Sequence, residues 1–89
     1  MIPPTPDVQK LQKLWKSSSK IVLAGGVFDI IHPGHINTLN TAKKLGGSLV
    51  VVVATDKTAV KMKKRKPLHS AKLRQELVSS LSMVDLCII

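Results

Sequence analysis

The stretch Ala24–His35, Ala-Gly-Gly-Val-Phe-Asp-Ile-Ile-His-Pro-Gly-His, decides the fold of this chain. An apolar run precedes it at Ile21–Leu23, and an amphipathic run begins at Ile36. This order predicts a strand, a glycine turn, a loop and a helix. Because ligands of open α/β sheets bind beyond the carboxyl ends of the strands, we expect a ligand site in this stretch.

Two glycines and two histidines give the stretch its chemistry. Gly25 and Gly26 let the backbone approach a phosphate closely. His32 and His35 are separated by a proline and a glycine, and His35 falls in the first turn of the predicted helix. Free N–H groups and the helix dipole attract anions there. This combination suits phosphoryl or nucleotidyl transfer, in which catalysis is mainly positioning and charge stabilisation.

Two other interpretations of the histidines stay open at this point. They could form half of a zinc site, but such a site usually needs four ligands, and only His69 and Cys87 remain as typical donors. They could also be a polar pair in a purely structural loop.

The residues Gly25–His35 resemble the signature G-x-F-D-x-x-H-x-G-H of the HxGH nucleotidyltransferases. The similarity to the cytidylyltransferase-like branch of that superfamily covers about residues 20–89. It implies an α/β fold, a Rossmann-like parallel sheet with flanking helices. It also implies that His32 and His35 are catalytic, with no metal ligand among the site residues. The nucleotide-binding residues that it implies in the signature are Gly25, Gly26, Val27 and Phe28.

The hydrophobic pattern divides the chain into an N-terminal helix and linker, residues 1–19, and a domain, residues 20–89. The resemblance implies that this domain is the N-terminal part of a nucleotidyltransferase domain. Thr5 and Pro6 begin the first helix, and a run of serines at 17–19 ends it. The predicted strands are Lys20–Ala24, Ser48–Ala54 and Val84–Ile89. The first predicted helix of the domain has His35 in its first turn and continues through Ile36–Leu45. A short helix follows from Asp56 to about Val60, capped by Thr55 or Asp56, and another runs from Ala71 to about Leu81, capped by Ser70.

An apolar stripe runs along the N-terminal helix at Val8, Leu11, Leu14 and Trp15, with lysines largely off that face. Such a stripe predicts a helix packed on the domain. A basic helix lying on a membrane surface is the alternative.

The basic run Lys61–Lys66 allows three interpretations: a loop that folds over phosphates, a solvated loop, or a nucleic-acid patch. The family resemblance implies the first, with Lys63 and Lys64 on the substrate phosphates. It also implies that Arg74, early in the last helix, contacts the nucleotide. A surface arginine is the alternative there, although a cation at a helix start is unfavourable without an anion nearby.

Composition limits the classes of partner. The net charge of +9 over 89 residues suits an anionic partner. Trp15 and Phe28 are the aromatic residues, which is few for a protein that stacks single-stranded nucleic acid. The lone Cys87 excludes an intrachain disulfide and fits a reducing compartment. No apolar run is long enough for a membrane span. We therefore predict a cytoplasmic protein that binds neither membranes nor nucleic acid.

Matches outside the signature favour the archaeal-type FAD synthases. They are Ala42–Gly46, Val50–Asp56 and Arg74–Val78. This resemblance implies transfer of AMP from ATP to FMN, giving FAD and pyrophosphate, with Mg²⁺ carried by the triphosphate and Asp29 orienting the loop. The alternatives are a CTP:glycerol-3-phosphate cytidylyltransferase, a heptose-phosphate adenylyltransferase, or a non-catalytic module that binds nucleotides or polyanions.

The sequence ends inside a predicted strand, whereas members of the resembled family continue with further strands and a second nucleotide-binding motif. We expect the 89-residue chain to be a fragment or to need a partner, such as a second copy, over an open sheet edge. On this interpretation it is poorly active alone and prone to associate.

Overall fold

The computed structural model describes residues 5–17 and 20–89. The elements, in chain order, are α1 (Pro6–Ser17), β1 (Ile21–Gly26), α2 (Pro33–Lys43), β2 (Ser48–Val53), α3 (Asp56–Lys63), α4 (Ala71–Ser79) and β3 (Leu86–Ile88). Residues 1–4 of the predicted lead and residues 18 and 19 of the predicted linker lie outside the described ranges.

The three strands form one parallel sheet in the order β1-β2-β3. Leu23 pairs with Val50, and Val50 pairs with Leu86. Helix α2 connects the first pair of strands, and α3 and α4 connect the second. The predicted Rossmann-like parallel sheet with flanking helices is therefore confirmed. Its strands are shifted by one or two residues from their predicted bounds, and β3 is shorter than predicted.

The main core lies on one face of the sheet, because side chains alternate between the faces along a strand. Leu49, Val51 and Val53 of β2 form a buried cluster with Leu39 of α2 and Val78 of α4. Burying each such side chain contributes about 1.5–3 kcal/mol relative to leaving it in water. This packing fixes α2 and α4 over the sheet and places their first turns near the carboxyl ends of the strands.

Side-chain caps begin the helices where the sequence predicts them. Thr5 Oγ1 accepts from the Val8 amide at the start of α1. Thr55 caps α3 by accepting from the Thr58 amide at 3.1 Å. Helix α3 ends at Lys63 rather than at about Val60, so half of the basic run is helical.

A close contact explains the glycines that follow α2. Gly46 and Gly47 have φ angles of 84° and 110°, in the region that favours glycine. A Cβ on Gly47 would also lie 2.5 Å from the Lys20 carbonyl oxygen. The chain can therefore turn into β2 at this point only without a side chain.

Helix α1 packs on the domain through one side only. Leu11 and Leu14 are half-buried, whereas Trp15 is 69% exposed. Asp7 Oδ2 accepts from the backbone amide of Ile89 at 3.1 Å and so ties α1 to the end of β3. The predicted apolar stripe is thus only partly covered. Within residues 5–17 and 20–89, no helix combines the length and the apolar character that a membrane crossing requires.

Candidate functional site

A cavity of about 500 Å³ lies beyond the carboxyl end of β1. One wall consists of signature residues, and the other consists of residues from the basic run. The signature wall includes Gly25, Gly26, Val27, Phe28, Asp29, Ile30, His32 and His35, and the opposite wall includes Met62, Lys63 and Arg65. Seven of the nine residues predicted for the site therefore line one cavity. Lys64 and Arg74 do not line it.

The two histidines form a capping box at the start of α2. His32 is the N-cap, and its Nδ1 accepts from the Gly34 amide at 3.0 Å. His35 Nδ1 in turn accepts from the His32 amide at 3.3 Å. The two rings stack with their centroids 4.0 Å apart and their planes 29° apart. The sequence predicts His35 in the first turn, but it does not reveal that both rings serve as caps.

These hydrogen bonds select the histidine tautomer. An Nδ1 atom that accepts a hydrogen bond carries no proton, so each neutral ring carries its proton on Nε2. Burial, followed by the positive charges of His32 and Lys63, lowers the pKa of His35 below its ordinary value. At neutral pH, His35 is therefore an uncharged ring with an Nε2–H donor.

The glycine between the histidines is required by the first ring. A Cβ on Gly34 would lie 2.8 Å from His32 Cε1, closer than real contacts allow. Gly26 is constrained in a similar way, since its Cβ would lie 3.0 Å from Phe28 Cε2. By contrast, a Cβ on Gly25 would meet only the Val52 carbonyl oxygen, at an ordinary 3.7 Å. The protein itself leaves room beside Gly25.

Phe28 is a buried residue in the left-handed region, with a φ of 54°. A non-glycine residue in this region costs on the order of 1–3 kcal/mol and tends to occur at functional sites. The Phe28 ring packs against His35 with a centroid distance of 5.3 Å. The strained residue thus supports the second histidine and turns the chain toward Asp29.

Asp29 fixes the loop that precedes α4. Its Oδ2 accepts from the Leu68 amide and its Oδ1 from the His69 amide, both at 3.0 Å. These two backbone hydrogen bonds hold the pKa of Asp29 below its ordinary value; burial opposes them, and Arg65 at 3.8 Å adds to them. Asp29 therefore orients the loop that precedes α4.

His69, on the loop before α4, contacts a residue of the cavity wall. Its Nδ1 lies 2.7 Å from the Asp29 carbonyl oxygen. The other donor that a zinc pair would need, Cys87, is buried in β3, where burial raises the pKa of its thiol to about 11. Neither residue lines the cavity with the stacked histidines.

The basic run reaches the cavity in a different register from the predicted one. Lys63 is the last residue of α3 and lines the cavity. Lys64 is the C-cap in a left-handed conformation with a φ of 57°, which ends the helix. Arg65 rather than Lys64 is the second cation on the cavity wall. The correction follows from the helix end, because the left-handed turn changes the direction of the chain at Lys64.

Arg74 also differs from its predicted role. Its side chain is 0% exposed, and its guanidinium donates to protein acceptors through Nε, Nη1 and Nη2. Asp56 is its ion-pair partner at 2.8 Å. This carboxylate is the anion that a cation early in a helix requires. Arg74 lies behind the cavity, so the structure does not support direct contact with a nucleotide.

Comparison with known proteins gives close relatives for most of the chain. It is 55% identical over 64 residues to the FAD synthase of Thermococcus onnurineus (strain NA1), covering 72% of this chain and 43% of that protein. It is 53% identical to the FAD synthase of Thermococcus sibiricus, with the same coverage. The chain thus spans 43% of the length of these curated relatives.

A solved structure has a similar fold. The lipopolysaccharide core biosynthesis protein of Thermoplasma volcanium GSS1 superposes with a TM-score of 0.72 and 48% identity. The match covers 76% of this chain and 55% of that one. At this identity the likeness extends to sequence as well as to fold.

Residues 23–88 match the family described as cytidylyltransferase-like. The matched range contains most of β1, the stacked histidines, the cavity and the Arg74 network. The chain belongs to the cytidylyltransferase-like family.

Proposed function

We propose that the protein is an FMN adenylyltransferase, or FAD synthase, which transfers AMP from ATP to the phosphate of FMN and releases pyrophosphate. The observation that carries the proposal is the stacked pair His32 and His35 at the start of α2, on a cavity that also contains Lys63. The identity to two FAD synthases favours ATP and FMN as the substrates.

The histidines would stabilise charge on the phosphates. Each neutral ring offers an Nε2–H donor, and its Nδ1 bond to the backbone keeps the ring oriented before substrate arrives. Donors aligned in advance at developing charge are among the largest contributions to catalysis, typically on the order of a hundredfold in rate for each donor. The positive end of the α2 helix dipole would add to this field.

The glycines and the cations would hold the triphosphate. Gly25, where the protein leaves room, would let a phosphate approach the backbone, and Gly26, Val27 and Phe28 would shape the wall beside it. Lys63 would neutralise phosphate charge, with Arg65 in the part that the sequence assigned to Lys64.

The reaction needs no covalent intermediate with the protein. A phosphate oxygen of FMN attacks the α-phosphorus of ATP, the bond from that phosphorus to the bridging oxygen breaks, and pyrophosphate leaves. The protein aligns the two phosphates and stabilises the charge on their oxygens.

Magnesium would enter with the triphosphate, bound to phosphate oxygens and water. Asp29 lines the cavity, but both of its carboxylate oxygens accept backbone amides, which suits a structural role better than a metal ligand. When bound, the ion neutralises part of the triphosphate charge.

A second acceptor deserves a test because of the relative named for lipopolysaccharide core biosynthesis. That name is compatible with an alternative that the sequence left open, a heptose-phosphate adenylyltransferase with a phosphorylated sugar as acceptor. The roles of His32, His35 and Lys63 would be the same for either acceptor.

The test pairs ATP and CTP with FMN, glycerol 3-phosphate and heptose 1-phosphate, and measures pyrophosphate and the nucleotide product. We expect FAD from ATP and FMN. Product only from ATP and the heptose phosphate, or only from CTP and glycerol 3-phosphate, would replace the proposed acceptor and donor. Binding without any product would favour a non-catalytic module, and steeply salt-dependent binding of a random oligonucleotide would favour a nucleic-acid patch.

A further inference from the structure

The hydrogen bonds of Arg74 reach acceptors in three segments of the chain: Val27, Ala54–Asp56 and His69. Nε donates to the His69 carbonyl at 3.0 Å, Nη1 to the Val27 and Ala54 carbonyls at 2.8 Å each, and Nη2 to the Asp56 carboxylate at 2.8 Å. Replacing a buried ion pair by apolar side chains of similar volume is often neutral or stabilising. Stability alone is therefore a weak reason for a fully buried guanidinium here.

The acceptors show what the guanidinium holds together. Val27 follows β1 and Ala54 follows β2, so Arg74 connects the carboxyl end of β1, which borders the cavity, to the carboxyl end of β2. Asp56 is the first residue of α3. Its Oδ1 also accepts from the Ala71 amide at the start of α4, at 2.9 Å. One carboxylate oxygen therefore anchors α3 both to Arg74 and to α4.

Helix α3 depends on this anchor because it is little buried. Across its eight described residues, Ala59 is the buried one. Met62, near the far end, is 62% exposed. Lys63, the last residue of α3, lines the cavity. A tilt at Asp56 would therefore move Lys63 with little resistance from packing.

The length of α3 amplifies such a tilt. Lys63 lies seven positions after Asp56, which is about 10 Å along a helix. A tilt of about 10° would displace the far end by nearly 2 Å, and misplacement by about 1 Å can cost on the order of a hundredfold in rate.

We propose that Arg74 and Asp56 form a positioning pair that sets where Lys63 stands relative to the stacked histidines, and so sets the affinity of the site for a triphosphate. The inference rests on the proposed function in requiring that the cavity bind a triphosphate. The pair itself does not contact the ligand.

The test measures dissociation constants of the 89-residue chain for MgATP and for inorganic tripolyphosphate by titration calorimetry. Asp56→Ala removes the anchor, and Asp56→Asn keeps an oxygen acceptor in the same place. Asp85→Ala is the matched control, since it also removes one carboxylate that binds a backbone amide and a cation, but before β3. Thermal unfolding is recorded for each variant, and binding is measured well below every transition.

The direction in which the affinity for triphosphate changes distinguishes an effect of positioning from an effect of charge. Removing a carboxylate makes the protein more positive, so charge alone predicts tighter triphosphate binding by both Asp56→Ala and Asp85→Ala. Positioning predicts that Asp56→Ala binds on the order of fivefold more weakly, that Asp56→Asn restores most of the affinity, and that Asp85→Ala binds no more weakly than the parent chain.

A double-mutant cycle completes the test. If the pair acts through Lys63, then Asp56→Ala has no further effect on binding in a Lys63→Ala background. Additive effects, or tighter binding by Asp56→Ala, would overturn the inference while leaving the proposed function intact. Failure of the parent chain to bind either triphosphate would instead overturn the proposed function and the inference together.

Discussion

The cavity wall and the Arg74 network behind it use nitrogen donors of side chains in opposite ways. On the wall, His32 and His35 have Nδ1 bonded to the backbone, while Nε2 of each ring carries the proton in the neutral form. Behind it, Arg74 is fully buried and all three of its nitrogens donate to protein acceptors. The comparison indicates that substitutions on the cavity wall should first affect the reaction, whereas substitutions in the Arg74 network should first lower the free energy of unfolding.

The largest effect on stability is expected from Arg74→Met. The change leaves the Val27 and Ala54 carbonyls without their buried donor and Asp56 without its cation. Removing one partner of a buried pair typically costs about 3–5 kcal/mol. Chemical denaturation should show this loss in the free energy of unfolding, and a value within 1 kcal/mol of the parent would contradict the network as described.

On the wall, His35→Ala should lower turnover by on the order of a hundredfold or more, because an aligned phosphate donor is lost. His35→Asn is the matched control, since its amide oxygen can replace Nδ1 as the acceptor for the His32 amide. We expect His35→Asn to unfold like the parent and to remain as slow as His35→Ala. Recovery of turnover in His35→Asn would mean that the ring serves only as a cap.

A smaller effect on the wall is expected from Lys63→Ala. Loss of a charge-assisted hydrogen bond to phosphate should raise KM for ATP by roughly tenfold, and less at high salt. Lys64→Ala removes the same charge from the neighbouring C-cap, and its effect on KM should be several times smaller. Equal effects of the two substitutions on KM would indicate that charge near the site matters more than register.

The smallest effect concerns acid stability and Asp29. Because the pKa of Asp29 is lower in the folded chain, its contribution to stability is fully present above the ordinary aspartate pKa and is lost as the pH falls toward the folded value. Asp29→Asn should therefore lower stability at neutral pH and flatten its loss in acid. Unfolding curves between pH 7 and pH 3 measure how the free energy of unfolding depends on pH. If that dependence is the same in Asp29→Asn as in the parent, another carboxylate, for example Asp85, causes the acid sensitivity.

Local patterns predicted the wall better than the network. The apolar runs marked β1 and β2, and the signature marked the histidines, because each depends on residues close together in the chain. Arg74 was visible only as a cation at a helix start, since its partner Asp56 lies 18 residues away and is brought near by the second crossover. The contacts of Asp29 with Leu68 and His69 span 39 and 40 residues, so no local pattern reveals them.

The register of the basic run depended on where α3 stops. The run of lysines does not mark the end of a helix, and Lys64 adopts a left-handed conformation without being glycine. A one-residue difference there decides which cation reaches the cavity. The expectation that the chain associates through an open sheet edge stays a prediction; Leu23, on the outer strand β1, is 64% exposed.

The strand order has a consequence for how the chain assembles during synthesis. Strands lie in the sheet in the order in which they are made, so each new strand meets a partner that already exists. The histidine cap is complete within residues 32–35, and β1, α2 and β2 can come together before Arg74 has emerged from the ribosome. We therefore expect the turn that carries His32 and His35 to form early and α3 to be fixed last, when α4 brings the guanidinium to Asp56.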